Sequence, residues 1–397
     1  MKESNPKPVI LATNGSELGG GDIALRNLAV NMKPEEWRMI MVYPHPGPIS
    51  LDLEQKGFKV YYFDDLDIMA RGLGKTYIFK FLARLVKSTL FFIRLIKKER
   101  IALVHTNSSA LLSPGLAAFF CRVPHVWQVR EIIERPWWIR SFLRLFMPRL
   151  AHRIICVSSQ AAKLFSPAVI AKKVTVVNDG VDLKLFYPRP DVPAIKVQLG
   201  IPDDRLVIGY CGRLIRRKGV AVLIDSLESL LDKGYNLHLL IIGVIVPKYR
   251  DQAEEIQRRL AAGSLKQRHT LLLEVKDVAR YLSPSDMVVQ PSIEPEGFGL
   301  TALEAMALGK PVIATPLGGP LDLIKPGQNG LFAVPGDSRD LAQKIEELIN
   351  DKDLRQRLGT QALEIVRQNF DAALVSKRVG LVYQKLTEHM KNNEADQ

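Results

Sequence analysis

The chain reads as an α/β protein built on two doubly wound parallel sheets. Its 397 residues exceed what one ordinary core fills. Short, continuous apolar runs alternate with helical patterns from one end to the other, as parallel strands buried on both faces do. The Pro-rich stretch Tyr187–Gly200, YPRPDVPAIKVQLG, breaks that alternation and separates the runs into two series.

In the first series, strands are expected at Val9–Thr13, Met39–Tyr43, Lys59–Phe63, Leu103–His105, His125–Val129, Arg153–Val157 and Thr175–Val177. In the second they are expected at Leu206–Tyr210, Leu237–Ile242, Thr270–Leu273, Met287–Gln290, Pro311–Ala314 and Leu331–Ala333, with helices between most of them. The expected division is a Rossmann-like domain over 1–187, a linker over 188–200, a second Rossmann-like domain over 201–372, and a helix over 373–397 returning to the first domain.

Composition narrows the class. Hydrophobic content of 47% and charged content of 24% are those of a globular protein handled in water. The opening MKESNPKPVILAT has too short an apolar run for a secretory signal, and no uninterrupted apolar stretch approaches the ~20 residues that span a bilayer. Cys121, Cys156 and Cys211 lie in apolar contexts without metal-ligand spacing, and His105 and His125 form no ligand pair. An odd number of thiols in apolar contexts fits a reducing cytoplasm and argues against a disulfide framework.

The net charge of +13 is concentrated. Between Arg71 and Arg100, nine basic residues oppose the single Glu99. Lys80, Arg84, Lys87, Arg94 and Lys98 share one helical face, with Ile78, Leu82, Leu85, Thr89, Ile93 and Ile96 opposite. A solvated basic side is the plainer reading; docking on anionic lipid is the sharper one.

Three stretches suit chemistry. Asn14–Gly21, NGSELGGG, follows the first strand, and glycines there let backbone N–H groups approach an anion, or simply make a flexible turn. Cys211–Gly219, CGRLIRRKG, puts Arg213 and Lys218 at the carboxyl edge of the second sheet, where ligands of doubly wound folds bind; a solvated basic loop is the alternative. Glu294–Thr315 places Glu296 and Glu304 on either side of the Gly297–Phe298–Gly299 turn that starts a helix. Helix-dipole complementarity accounts for Glu304 but not for Glu296.

Taken in order, these motifs resemble family 4 of the retaining glycosyltransferases, which have the GT-B fold of two Rossmann-like domains facing a central cleft. The resemblance spans almost the whole chain: the Gly-Gly turn, N-D-G-V-D-x-x-x-F at Asn178–Phe186, G-R-L-x-x-x-K-G at Gly212–Gly219, Pro291-Ser292, E-G-F-G-L-x-x-L-E-A-M-A at Glu296–Ala307, G-x-P-V-I-A at Gly309–Ala314, and Gly318-Gly319. It implies that Glu304 holds the ribose of a nucleotide-sugar and Glu296 the sugar hydroxyls. Phe298, Gly299 and Leu300 would offer amides between them. Arg213 and Lys218 would grip the diphosphate, and Gly20 and Gly21 would close over it.

Where many relatives carry His-Asp, this chain has Arg130 and Glu131, which places these two on the acceptor side and supplies no catalytic histidine. The usual Glu after Gly-Gly-x-Pro is here Asp322. Asp65-Leu66-Asp67 spells the Asp-x-Asp of metal-dependent sugar-nucleotide enzymes, but two cations and a helix N-terminus stabilise a leaving diphosphate without a metal, so no metal or other cofactor is expected. The resemblance implies a hexosyltransferase using a nucleotide-sugar, most simply UDP-linked and glucose-type. It would act on a glycan or lipid-linked acceptor in surface or exopolysaccharide synthesis, in the cytoplasm or on the inner face of the membrane. Two rivals are a GT-B nucleotide-sugar epimerase, which needs no acceptor, and a basic nucleic-acid-binding protein, whose Trp137 and Trp138 would stack on bases.

Overall fold

Both sheets are parallel at every pairing, and their strand orders place a crevice in each. The computed structural model describes residues 5–15, 19–69, 75–134 and 136–395. Residues 16–18 of the glycine-rich turn and Arg71 of the basic stretch lie outside the described residues. The first sheet contains β1 (Lys7–Ala12), β2 (Trp37–Tyr43), β3 (Lys59–Tyr62), β4 (Leu103–Thr106), β5 (His125–Val129), β6 (Arg153–Cys156) and β7 (Val174–Val176). The second contains β8 (Leu206–Arg213), β9 (Leu237–Val244), β10 (His269–Leu273), β11 (Met287–Gln290), β12 (Val312–Ala314) and β13 (Leu331–Phe332). Every strand expected from the apolar runs is present, within a few residues at the ends.

The orders are β3-β2-β1-β4-β5-β6-β7 and β10-β9-β8-β11-β12-β13. In each sheet the chain works outward one way and then restarts beside its first strand. The loops leaving the two central strands therefore diverge, and a crevice opens at the carboxyl edge. That edge lies between β1 and β4 in the first sheet and between β8 and β11 in the second.

The chain divides into one unit of Met1–Gly180 with Ala372–Gln397 and another of Val181–Asp371. The linker expected over 188–200 is instead part of the second unit. Val192–Gln198 forms a helix there that buries Ile195, with Pro193 in its first turn, where a missing N–H costs nothing. Proline signalled a helix start, not a passage between domains.

In the first unit, the helices Gly20–Asn31 and Ala372–Ala395 cover one sheet face through Leu25, Leu28, Val375, Val379 and Tyr383. Lys75–Glu99, Ser113–Cys121 and Trp137–Leu150 cover the other. Tyr383 is fully buried, edge-on to Trp37 at 5.4 Å. Its hydroxyl lies 2.5 Å from Nδ1 of buried His105, whose Nε2 is 3.0 Å from Gln128 Oε1. Burial lowers the His105 pKa to about 3, so the ring is neutral: Nε2–H donates to Gln128 and Tyr383 donates to Nδ1. Among the described residues no helix is long and apolar enough to cross a membrane.

Tyr383→Phe keeps the ring but leaves His105 Nδ1 unpaired in the core, and is expected to cost ~1–3 kcal/mol. Tyr383→Ala also opens a cavity and is expected to cost ~3–5 kcal/mol. Urea unfolding of both variants checks this; near-neutral values for both would show that the C-terminal helix is not part of the first unit's core.

Candidate active site

The second unit's crevice is built by loops that approach backbone to backbone. The chain leaves β8 at Arg213, makes one 3-10 turn over Arg216–Lys218, and enters the helix Val220–Asp232 at Gly219. Gly219 has φ +71°, and a Cβ there would stand 1.8 Å from the Pro291 carbonyl oxygen, so only glycine lets the two loops meet. Leaving β11, the Ile293 amide donates to Arg217 O at 2.9 Å. The chain then pairs Glu296 with the Gly318–Gly319 turn, Glu296 N to Leu317 O at 3.0 Å and Gly319 N to Glu296 O at 2.8 Å.

These approaches bring Lys218 Nζ to 2.6 Å from Glu296 Oε1, with Ser292 Oγ donating to the same oxygen at 2.6 Å. Burial alone would raise the Glu296 pKa, but the Lys218 ammonium and the Ser292 hydroxyl hold it below its ordinary value. Burial pulls Lys218 down, and Arg217 and Arg213 push the same way against Glu296. The Glu296 carboxylate is therefore ionised at neutral pH, with Lys218 against it. Both contacts use Oε1, which leaves Oε2 of Glu296 without a protein hydrogen bond among the described residues. The Arg213 guanidinium, half-buried and without an ion pair there, has its pKa lowered by burial and by Arg217.

Gly299, at φ +100°, caps the helix Leu300–Ala307 without any side-chain cap. The amides of Phe298, Gly299 and Leu300 donate to no protein acceptor among the described residues. Phe298 itself is buried, its ring 5.8 Å from that of Phe370. Glu304 lies one turn into this helix, almost fully buried, with no hydrogen-bond partner among the described residues. Burial raises its pKa to about 8, and its charge in turn helps to raise the Cys211 thiol. Asp322 sits in the next short helix, Pro320–Leu323.

Arg213, Lys218, Glu296, Phe298, Gly299, Leu300 and Glu304 are thus assembled at one sheet edge. The sequence reading missed Arg217, which sits among these charges, and the direct Lys218–Glu296 pair. The run Arg216-Arg217-Lys218 signals the first; nothing in the sequence signals the second.

Gly20, Gly21, Arg130 and Glu131 gather at the first unit's own crevice. Gly20 and Gly21 open the helix Gly20–Asn31. A Cβ on Gly21 would lie 3.3 Å from Arg130 Nε, and Asn107 Nδ2 donates to Gly21 O at 3.2 Å. Arg130 is nine-tenths buried and donates to Asp179 at 2.5 Å. Glu131 accepts from Ser109 at 2.6 Å and Ser108 at 3.4 Å. Asp179, in the Asn178-Asp179-Gly180 motif, carried no assigned role in the sequence reading; here it fixes Arg130.

The Asp65-x-Asp67 pattern has a different use. Asp67 accepts from the Leu112 and Ser113 amides at 2.8 and 3.0 Å at the start of the helix Ser113–Cys121, while Asp65 lies 3.0 Å from Lys87 and 3.6 Å from Arg84.

Glu304 makes a pH signature. Its unfolded pKa is ~4.3, so the folded protein keeps a proton that the unfolded chain releases. A raised pKa means that stability falls as pH rises from ~4.3 to about 8 and then levels. Glu304→Gln cannot ionise. The ligand-free variant is expected to match wild type near pH 4 and to melt several degrees higher at pH 8. Parallel melting profiles across that range would overturn the burial argument.

The family model for Glycosyl transferases group 1 matches residues 191–364, and that for Glycosyltransferase Family 4 matches residues 18–185. The chain is 29% identical over 313 residues to the capsular polysaccharide biosynthesis glycosyltransferase CapM of Staphylococcus aureus, taking in 75% of this chain and 80% of that one. It is 32% identical over 212 residues to the lipopolysaccharide core biosynthesis mannosyltransferase LpcC of Rhizobium leguminosarum bv. viciae, over 53% of this chain and 60% of that one. Among solved structures, Anabaena Alr3699/HepE in complex with UDP-glucose superposes with a TM-score of 0.81 over 96% of this chain and 100% of that one; at 23% identity this is a likeness of fold. With one family model on each sheet and both crevices built from the matching motifs, the chain belongs to family 4 of the glycosyltransferases and has their GT-B fold.

Proposed function

We propose that this glycosyltransferase moves a hexose, glucose-type, from a UDP-sugar to a glycan or lipid-linked acceptor with retention of anomeric configuration, in surface or exopolysaccharide synthesis. The observation that carries this reading is a polar set at the β8/β11 crevice that is unsatisfied among the described residues: the Arg213 guanidinium, the spare Lys218 N–H groups, the uncapped amides of Phe298 to Leu300, Oε2 of Glu296 and the Glu304 carboxyl. Cations and amides match a diphosphate, and carboxyl oxygens match sugar and ribose hydroxyls. The complexes of Anabaena HepE with UDP and with UDP-glucose support the choice of base and sugar. CapM and LpcC, by their names, act in polysaccharide and lipopolysaccharide synthesis and support the acceptor class.

In this reading the bond from the anomeric carbon to the β-phosphate oxygen breaks as its electrons pass to phosphate. Arg213, Arg217, Lys218 and the helix amides stabilise the charge that develops, which leaves no role for a divalent cation or other cofactor. The acceptor hydroxyl attacks from the same face and gives its proton to the departing phosphate. Glu296, with one oxygen engaged by Lys218 and Ser292 and its pKa held down, is a weak nucleophile and a good acceptor for sugar hydroxyls. Arg130 and Glu131 serve the acceptor side. The site works in the cytoplasm, with peripheral attachment to the membrane when the acceptor is a lipid.

Thermal shift against UDP, GDP, ADP and their glucose conjugates tests the donor. UDP-glucose at about 100 times its dissociation constant is expected to stabilise the protein by ~2.7 kcal/mol. Arg213→Ala is expected to cost about 2.7–4 kcal/mol in the transfer barrier, by analogy with the loss of an oxyanion donor. Transfer is expected to persist in EDTA, and the anomeric proton coupling of the product, read by NMR, to be that of the donor. Unchanged turnover in Arg213→Ala and Lys218→Ala, or an inverted product, would overturn the reading.

A further inference from the structure

The first unit's outer helical layer carries an exposed apolar surface that neither the fold nor the donor site uses. The helix Lys75–Glu99 was expected to be basic outside and apolar inside. It does bury Phe92, Leu95 and Ile96, with Ser88 and Thr89 among them. Ile78 and Leu82, both placed on the inner face by the sequence, are exposed instead, and Phe79, Val86 and Leu90 form a second apolar stripe facing outward. Phe79 is 75% exposed. Exposed Lys80, Lys87, Arg94 and Lys98 run alongside this stripe. Periodicity did not decide between the two stripes, because only tertiary burial does.

The neighbouring helix Trp137–Leu150 repeats the arrangement. Ile139, Leu143 and Met147 face the core, in one cluster with Phe81 and Leu85 of the first helix. Trp137, Trp138, Phe142 and Leu145 stand out among exposed Arg140, Arg144 and Arg149, with Trp137 also 75% exposed. Phe119 and Phe120 project from Ser113–Cys121 between them in chain order. All the exposed phenylalanines and tryptophans among the described residues belong to these three helices.

We infer that this layer is an interfacial membrane-docking surface, whose aromatic side chains enter the headgroup boundary of a bilayer containing anionic phospholipid. The inference rests on the proposed lipid-linked acceptor and names the surface that would meet it. Its chemistry selects the occupant. Across the three helices the only acid is Glu99, and its carboxylate is taken by Lys59, Tyr61 and Arg38 on the sheet side. Asp65, at the rim, is shared between Lys87 and Arg84. A symmetric pairing of two copies through this face would set cations against cations. Anionic headgroups satisfy the Lys and Arg, and the acyl boundary takes the Trp and Phe rings, which prefer that depth. The helices at Lys75 and Trp137 both start at the carboxyl edge of the sheet, where Gly20, Gly21, Arg130 and Glu131 lie. Docking there holds that edge beside the membrane.

The four tryptophans make the test direct. Trp37 and Trp127 are buried, so vesicle-dependent changes in fluorescence report Trp137 and Trp138. With the full chain and vesicles containing phosphatidylglycerol, emission is expected to shift to the blue and to be quenched by brominated acyl chains. Pure phosphatidylcholine is expected to bind far more weakly. Phe79→Ser with Leu82→Ser, both exposed and therefore compatible with folding, is expected to weaken vesicle binding about tenfold or more. UDP-induced thermal stabilisation of the same variant is expected to equal that of wild type. Absence of quenching overturns the inference, as does binding that salt removes but the serine variant leaves unchanged. So does a dimer in sedimentation that Phe79→Ser dissolves, which would assign the face to a protein partner. Quenching by vesicles without any UDP stabilisation of wild type would leave the docking surface standing and remove the donor reading.

Discussion

Backbone contact between loops is the constraint on which the second unit's site depends. Gly219 lies against Pro291 and Gly319 against Phe298 so closely that a Cβ at either position would fall about 2 Å from backbone atoms. Those two contacts set the distance between the loops leaving β8, β11 and β12. With the loops that close, Lys218 and Glu296 meet at 2.6 Å although 78 residues separate them in sequence. A single methyl at either glycine pushes the loops apart, and a buried pair held apart by even an ångström or two loses attraction while still bearing its desolvation cost.

The same geometry gives two glutamates on one turn opposite electrostatic characters. Glu296 meets an ammonium and a hydroxyl and stays ionised; Glu304 has no side-chain hydrogen bond among the described residues, and burial pushes it toward its protonated form. Environments that separate the pKa values of like groups assign them different work. The Glu296 charge is balanced by Lys218, whereas the Glu304 carboxyl has no hydrogen-bond partner among the described residues.

The fold was almost wholly legible in the sequence, because the central strands, buried on both faces, read as short continuous Val, Ile and Leu runs set between helical patterns. The site was legible as a set of residues, since parallel topology brings loops such as Arg213–Gly219 and Pro291–Leu300 to one edge whatever their separation. Contacts were less so. The Lys218–Glu296 pair follows from glycine approaches that strand patterning does not encode. Proline in Val192–Gln198 read as a linker because a first-turn proline and a loop proline look alike until the helix is seen to bury Ile195. Asp67 looked like half of a metal motif, yet its neighbours in space, the Leu112 and Ser113 amides, lie more than forty residues away in sequence.

The C-terminal helix has a consequence for how the chain is made. Ala372–Ala395 completes the core of the first unit, supplying Val375, Val379, Tyr383 and Leu386 to a face otherwise covered by Gly20–Asn31. The second unit, Val181–Asp371, is continuous and is translated entirely before that helix. At the usual pace of synthesis its 191 residues occupy about 10–40 s. Throughout that interval the nascent first unit presents Leu25, Leu28, Trp37 and buried His105 to water, unsealed. The unit begun first is thus finished last, and a stalled or shortened polypeptide offers chaperones and proteases an open hydrophobic face on the first unit after the second is complete.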